Sequence, residues 1–267
     1  MTISDLRGVP WGDALRGVSM YITTTGLILR ETKYKETSKI LNVLTADEGR
    51  ITVSAKGARR KGSKTAAATQ LLAFSEMTLL QSRGRWTLTE ANCIELFQGL
   101  RDDIELLSLG SYFAEILESV SDEDVPSPEI LSAGLNALYA LSTGMKAPEL
   151  VKAAFEMRIM RLSGFSPLLD ECSKCGRADI VEPVLDIYGG AIFCGNCKNG
   201  DENAYAKLCD GSLDAMRYII ECDAKKMFSF SLSEDAGKRL SAASEKYLSA
   251  QLERNFHTLE YYKSIKL

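Results

Sequence analysis

The sequence is poor in histidine, tryptophan and uninterrupted apolar stretches. One histidine, His257, and two tryptophans stand among 267 residues. General acid–base catalysis of the commonest kind thus has a single candidate, near the C-terminus, where a lone surface side chain is the ordinary reading. No nucleophile-elbow sequence occurs, and the acidic groups Asp102-Asp103 and Asp122-Glu123-Asp124 read as solvated helix ends or loops. No run approaches 18 apolar residues, which excludes a membrane-spanning helix. Met1 to Pro10 lacks the apolar core of a signal peptide. A cytoplasmic protein without membrane contact is therefore expected. Net positive charge is missing too: 32 Lys and Arg face 36 Asp and Glu, for a total of −4. At face value that speaks against nucleic acid, whose binders are usually basic. What remains is 45% hydrophobic and 25% charged, an ordinary globular balance at a length suited to one large domain or two small ones.

The pattern divides the chain. From Tyr21 to Cys93 it reads as strands: Ile22–Arg30, Ser38–Thr45, Ile51–Ala55, Phe74–Gln81 and Arg85–Ala91. Asp47-Glu48-Gly49 and Ser82-Arg83-Gly84 are turn signals between neighbours. Five short strands in that space suggest a small all-β barrel, with an open sheet as the alternative. Gly57 to Gln70 interrupts them as a basic loop or short helix. From about Leu100 the period turns helical, with Leu106, Leu109, Phe113, Leu117 and Val120 on one face. A second helix runs through Ile130, Leu131, Leu138 and Leu141. A third starts at Pro148, a favoured first-turn position, and stops at Gly164. Helices follow over Leu213–Glu221 and from Glu234 to about Arg254. Residues 1–19 show no periodicity, and Met20 offers a natural start, so 1–19 is expected to be a dispensable leader.

Charge divides at the same boundary. Residues 20–99 hold 12 basic and 7 acidic side chains, a balance of +5, whereas residues 100–267 hold 18 and 27, a balance of −9. Residues 1–19 are neutral, with two of each. A basic β region joined to an acidic helical one is itself a functional hint.

Cys172-x2-Cys175-x18-Cys194-x2-Cys197 has the spacing of a four-cysteine zinc site. Gly176 and Gly195 supply the tight turns such knuckles need. Four thiolates close a tetrahedron around zinc and leave no position for water, so the metal would be structural. Redox thiols or scattered core cysteines are the alternatives. Cys93, Cys209 and Cys222 read as small buried hydrophobes.

The run Lys56-Gly57-Ala58-Arg59-Arg60-Lys61-Gly62-Ser63-Lys64 carries five cations in nine residues. A glycine-containing loop of this kind can follow a phosphate backbone and displace counterions. Arg30, Lys33, Lys35 and Lys39 form a second basic group, and in a barrel both would border one face. Tyr34, Phe74 and Trp86 are conceivable base-stacking platforms, with core packing the favoured reading of each. Gly57-x4-Gly62 followed by Ser63-Lys64-Thr65 imitates a nucleotide-binding loop. However, that motif needs lysine directly after the second glycine, and a βαβ setting.

Gly26 to Leu41, ending in Leu44-Thr45, closely resembles the opening of the bacterial recombination mediator family RecO. Gly49-Arg50-Ile51, Ala55 to Ser63, Gly164-Phe165-Ser166-Pro167 before Cys172, and Gly189-Gly190 before Cys194 are similar to that family in order and spacing. The resemblance implies an α+β, multi-domain chain: an N-terminal five-stranded OB-fold barrel over 20–99, a helical domain over 100–171, a zinc-binding insert over 172–200, and C-terminal helices over 201–267 packing on the helical domain. It implies a non-enzymatic, nucleoid-associated protein of the RecFOR pathway of DNA damage repair and recombination. Such a protein binds single- and double-stranded DNA, anneals complementary strands and works with RecR to load RecA onto strands coated by the single-stranded-DNA-binding protein. DNA contacts would fall on Arg30, Lys33, Lys35, Lys39, Lys56, Arg59, Arg60, Lys61 and Lys64, and Zn2+ on Cys172, Cys175, Cys194 and Cys197. The acidic tail of the single-strand-binding protein would need an apolar groove rimmed by cations, for which Lys152, Arg158 and Arg161 are candidates, with helix solvation the favoured reading of each. The competing reading is a zinc-ribbon transcription or assembly adaptor acting mainly through protein contacts.

Overall fold

The computed structural model describes residues 20–266, and the expected leader 1–19 lies outside them. Strands β1 (Met20–Tyr34), β2 (Ser38–Thr45), β3 (Arg50–Ala55), β4 (Phe74–Ser82) and β5 (Arg85–Glu95) close a barrel in the order β1-β2-β3-β5-β4. All pairings are antiparallel except β3 with β5, which run parallel through Val53↔Trp86 and Ser54↔Thr87. This is the expected five-stranded OB-like barrel. β1 is longer than its β-branched run suggests because its two halves serve two partners. Met20 to Leu27 pair with β4, and Gly26 to Tyr34 pair with β2. A strand shared in this way has to bend. The register with β2 shifts between Ile28 and Arg30, a bulge that increases local twist. Gly26 sits where both pairings overlap, and a Cβ there would lie 2.6 Å from a Val43 methyl carbon.

The barrel interior is filled by Ile28, Leu41, Val43, Ile51, Val53, Met77, Leu79 and Trp86. Trp86 is therefore core, and Phe74 is half-buried against the helical core, as favoured for both. Seven helices make up the body: α1 (Gln98–Arg101), α2 (Ile104–Val120), α3 (Pro128–Ser142), α4 (Pro148–Leu162), α5 (Asp210–Glu221), α6 (Glu234–Gln251) and α7 (His257–Ile265). Proline opens α3 and α4. Gly164 ends α4 at φ +84°, with the Phe165 N–H donating to the Met160 carbonyl. Between α4 and α5, β6 (Val184–Asp186), β7 (Ala191–Phe193) and β8 (Tyr205–Lys207) form a small sheet ordered β7-β6-β8. No helix among the described residues is long and apolar enough to cross a membrane.

Barrel and body share one apolar seam. Leu27, Leu29, Leu44 and Leu72 belong to the same cluster as Phe97, Leu109, Phe113, Leu117 and Leu138. Burial of each such side chain contributes roughly 1.5–3 kcal/mol. Polar contacts fix the seam at its edge. Glu118 of α2 accepts from Arg30 Nη2 and Asn42 Nδ2, both at 2.7 Å. Arg50 Nε donates to the Ser121 carbonyl at 3.0 Å. Gly49, at φ +68°, lets the β2–β3 turn lie against Val125, whose backbone a Cβ would meet at 2.4 Å.

Inside the body, α4 carries a buried charged pair. Glu156 is wholly buried and accepts from Tyr112 Oη and Ser244 Oγ, each at 2.7 Å, and from Lys152 Nζ at 3.0 Å. Lys152 also meets Glu245 at 3.0 Å, and Glu245 pairs with Lys263 of α7. The network thus joins α2, α4, α6 and α7. Burial pushes the Glu156 carboxyl up from its ordinary range, and Lys152 and the two hydroxyls work against this. Burial opposes the Lys152 ammonium, but Glu156 and Glu245 together hold it above its ordinary value. Two sequence expectations are corrected here. Lys152 is no rim cation, because it is consumed by this pair. Arg158 turns its Nη1 to the carbonyls of Ile219, Ile220 and Cys222 at the end of α5. Arg161 alone of the three stays exposed.

Breaking one partner of a buried pair strands the other charge. Glu156→Ala should therefore destabilise the chain by roughly 3–5 kcal/mol, lowering the melting temperature by roughly 10 °C. A thermal melt within a degree or two of the parent would show that the network contributes no stability.

Candidate nucleic-acid interface and metal centre

The two basic groups read separately from the sequence meet at one end of the barrel. β1 and β2 are joined by Lys35-Glu36-Thr37, with Lys35 in the left-handed region at φ +53°. The segment after β3 folds back onto this turn as a chain of tight turns. The Arg60 N–H donates to the Gly57 carbonyl and the Ser63 N–H to the Arg60 carbonyl, with Gly57 and Gly62 at φ +71° and +77°. Arg59 fastens the two together. Its backbone N–H donates to the Thr37 carbonyl at 2.9 Å, and its Nη1 to the Glu36 carbonyl at 3.2 Å and the Lys35 carbonyl at 3.4 Å. The small Ala58 and Ala68 of this connector are buried beneath it. No βαβ unit surrounds Gly57–Lys64, so the resemblance to a nucleotide loop has no structural setting.

Lys33, Lys35, Lys56, Arg59, Arg60, Lys61 and Lys64 are all exposed. The Lys35 ammonium lies 5.3 Å from the centre of the half-exposed Tyr34 ring, within cation–π range. The other two expected contacts are differently placed. Arg30 is held by Glu118, and Lys39 Nζ donates to Glu31 at 2.5 Å and to the Thr69 carbonyl at 3.1 Å. A phosphate would have to compete with those partners.

Arg83 and Arg85 were missed by sequence reasoning. Arg83 and Gly84 form the two-residue turn between β4 and β5, at φ +52° and +71°, and Arg85 opens β5. Such hairpin turns usually carry Asn or Asp at the first position. Arginine there accepts a left-handed backbone at a cost of roughly 1–2 kcal/mol. The signal was present as a basic Arg-Gly-Arg inside a turn read only as punctuation. The parallel pairing of β5 with β3 sets Arg85 beside β3, whose outward residues Thr52 and Ser54, with Lys56 just after the strand, alternate with buried Ile51, Val53 and Ala55. A polar and basic surface thus runs from the β1–β2 turn across β3 to the β4–β5 turn.

The second constellation hangs from the small sheet. The Sγ atoms of Cys172, Cys175, Cys194 and Cys197 all lie within 4.8 Å of one another. Each pair is closed by a tight turn. The Gly176 N–H donates to the Cys172 carbonyl and the Cys197 N–H to the Cys194 carbonyl, both at 2.8 Å. The knuckles are docked through the Ser173 N–H to Ile192 and the Gly195 N–H to Val181. Zinc–sulfur bonds of about 2.3 Å in a tetrahedron place sulfurs about 3.8 Å apart. Cys175 Sγ and Cys194 Sγ stand at 4.0 Å, so the donor set fits a tetrahedral metal ion. The thiols themselves point the same way. Burial works against the Cys172 thiolate, but backbone N–H groups of Cys194, Cys175 and Lys174 bring its pKa down to about 6. Burial, and then the sulfurs of Cys175 and Cys172, push Cys197 up to about 12. One thiolate makes the next unfavourable, and a divalent cation is what lets four coexist.

The remaining cysteines are less buried than expected. Cys209 and Cys222 are half-buried and Cys93 is exposed. β3 pairs with β5 only at Trp86 and Thr87, so the far end of β5 has a neighbour on one side and leaves Cys93 uncovered.

Comparison with known proteins is extensive. A family model described as Recombination protein O N terminal matches residues 20–97, and one described as Recombination protein O C terminal matches residues 101–260. The DNA repair protein RecO of Acetivibrio thermocellus is 30% identical over 245 residues, covering 92% of this chain and 97% of the relative. That of Caldicellulosiruptor bescii is 29% identical, covering 92% and 99%. That of Alkaliphilus metalliredigens is 28% identical, covering 92% and 100%.

The Arg59 clamp has a measurable consequence. Arg59→Ala removes two side-chain hydrogen bonds, each contributing about 1 kcal/mol. Amide exchange through Arg60–Ser63 should then quicken by up to roughly thirtyfold, because local opening follows this free energy. Unchanged protection by hydrogen-exchange mass spectrometry would mean that the loop is held by something else.

Proposed function

The chain belongs to the RecO family of DNA repair and recombination proteins, and on that premise we propose that it is a mediator that handles DNA by charge and shape, without covalent chemistry. It binds single- and double-stranded DNA, anneals complementary strands and, with RecR, helps place RecA on strands coated by the single-stranded-DNA-binding protein. The observation that carries this reading is the gathering of seven exposed cations at one end of the barrel by the Arg59 clamp.

Two DNA strands repel through their phosphates, and that repulsion limits annealing. A surface of Lys and Arg neutralises it while reading only backbone, so binding is independent of sequence. Lys33, Lys35, Lys56, Arg60, Lys61 and Lys64 supply the charge, and Arg59 both carries charge and holds the loop. Arg83 and Arg85 extend the track across β3. Arg30 and Lys39 remain candidates that would exchange Glu118 and Glu31 for phosphate. The acidic body is avoided by DNA, which leaves it free for protein partners.

Cys172, Cys175, Cys194 and Cys197 hold Zn2+. The ion supplies folding energy to a lobe whose strands are only three residues long.

Strand annealing of fluorescent oligonucleotides without ATP tests the function, and absence of any acceleration would favour the adaptor reading. Replacing Arg60, Lys61 and Lys64 with Ala should weaken single-strand binding and flatten the slope of log affinity against log salt by about 2, from roughly 0.7 per phosphate contact. An unchanged slope would remove the loop from the DNA path. Cys175→Ser should lose zinc by elemental analysis and melt at least several degrees earlier. Full zinc content with unchanged melting would refute the assignment.

A further inference from the structure

A pocket on the helical body has an apolar floor with carboxylates nearby, and neither the barrel surface nor the cysteine cluster uses it. It lies between α2 and α7, has a volume of about 350 Å³, and is lined by Ile104, Leu107, Ser108, Ser111, His257, Thr258 and Tyr261. Ile104 and Tyr261 are 60% and 53% exposed. Two neighbouring helices in water ordinarily place polar residues at such positions, and a contiguous apolar patch marks an interaction surface. Ser108 is nearly buried, and its hydroxyl has no hydrogen-bond partner. By contrast, the neighbouring Ser111 hydroxyl donates to the Leu107 carbonyl.

The rim is acidic. Asp102 and Asp103 precede α2, Glu105 follows Ile104, and Glu260 adjoins Tyr261 on α7. Of the cations nearby, Arg254 pairs with Glu115 and Lys263 with Glu245, whereas Arg101 donates to the carbonyls of Leu96 and Leu71 and keeps its charge. His257, itself part of the lining, has its Nδ1 3.6 Å from a Glu260 carboxylate oxygen. Asp102, Asp103, Glu105 and Glu260 thus stand against Arg101 around exposed carbon, a net negative balance.

We infer that this pocket docks a protein segment that offers a large apolar side chain flanked by Lys or Arg. The apolar floor calls for the anchor, and the carboxylates select its flanks. The same carboxylates repel nucleic acid and acidic peptides, so this surface differs in kind from the basic end of the barrel. An amphipathic helix laid along the α2–α7 groove meets both demands.

The test uses the full chain and two fluorescein-labelled 14-residue helical peptides. Both carry the same Leu and Phe stripe, with Lys on the opposite face of one and Glu on the other. Fluorescence anisotropy should show saturable binding of the Lys peptide, weakened by salt, and at least about tenfold weaker binding of the Glu peptide. Ile104→Ala with Tyr261→Ala should weaken the Lys peptide by about tenfold, as loss of buried anchors does, with melting close to the parent. Should that variant melt early, hydrogen exchange on the parent decides: bound Lys peptide should protect the start of α2 and α7. Equal affinity for both peptides, protection elsewhere, or full binding by a folded double variant would each overturn the proposal. So would concentration-dependent dimerisation of the free chain that the double variant abolishes, because a second copy would then be the occupant.

Discussion

The architecture depends on β1 being buried on both sides. Ile28 points into the barrel, and its neighbours Leu27 and Leu29 point into the helical core, all three almost without exposure. Alternation along a strand sends successive side chains to opposite faces, and here both faces meet hydrocarbon. β1 cannot shift by one residue without exchanging the contents of two cores. The bulge at Leu29 and the bare Gly26 are the local adjustments that let one strand close a barrel and floor a bundle at once. The contacts of Arg30, Asn42 and Arg50 with the α2–α3 region add direction to a seam that apolar packing already holds.

The charge pattern gains meaning from this seam. The total of −4 conceals a barrel at +5 and a body at −9. Because the bodies are packed, the two signs form a fixed dipole instead of averaging as they would along a mobile chain. Such a field orients an approaching polyanion before contact. It brings the basic end of the barrel forward and holds α2 and α7 back. Within the body, the Lys152–Glu156 pair cancels internally, so the acidity belongs to the surface.

Much of this was readable beforehand, for identifiable reasons. β2 begins and ends where its alternation does, because it is half-covered along its whole length. The four cysteines declare themselves because a metal restricts spacing more tightly than packing does. The rest failed where tertiary context overrode local pattern. β1 looked short because its two ends, Met20-Tyr21 and Glu31 to Tyr34, are exposed and held only by neighbours. The strands of the small sheet are shorter than any period. α7 follows a break after Glu253-Arg254-Asn255 and carries a mixed face, so it read as tail. Lys152 on a helix suggests solvent, and only the fold reveals Glu156 and Glu245 around it. In the site, the basic loop was legible as composition, but its union with the β1–β2 turn rests on backbone hydrogen bonds from Arg59 that no spacing predicts. Arg83 and Arg85 were overlooked because a turn signal was read for geometry and not for charge.

The absence of any loose tether between barrel and body has a further consequence. In tethered modules, the chance that two bound ligands meet follows linker length and stiffness. Here that statistical factor disappears. Between Glu95, where β5 ends, and Gln98, where α1 begins, lie only Leu96 and the buried Phe97 in a left-handed turn. Under the proposed function, a strand held by the barrel would be displayed to whatever sits on the body at one distance and one angle. Delivery of DNA would then be a problem of jig and workpiece, solved by where things are held and not by how often they collide.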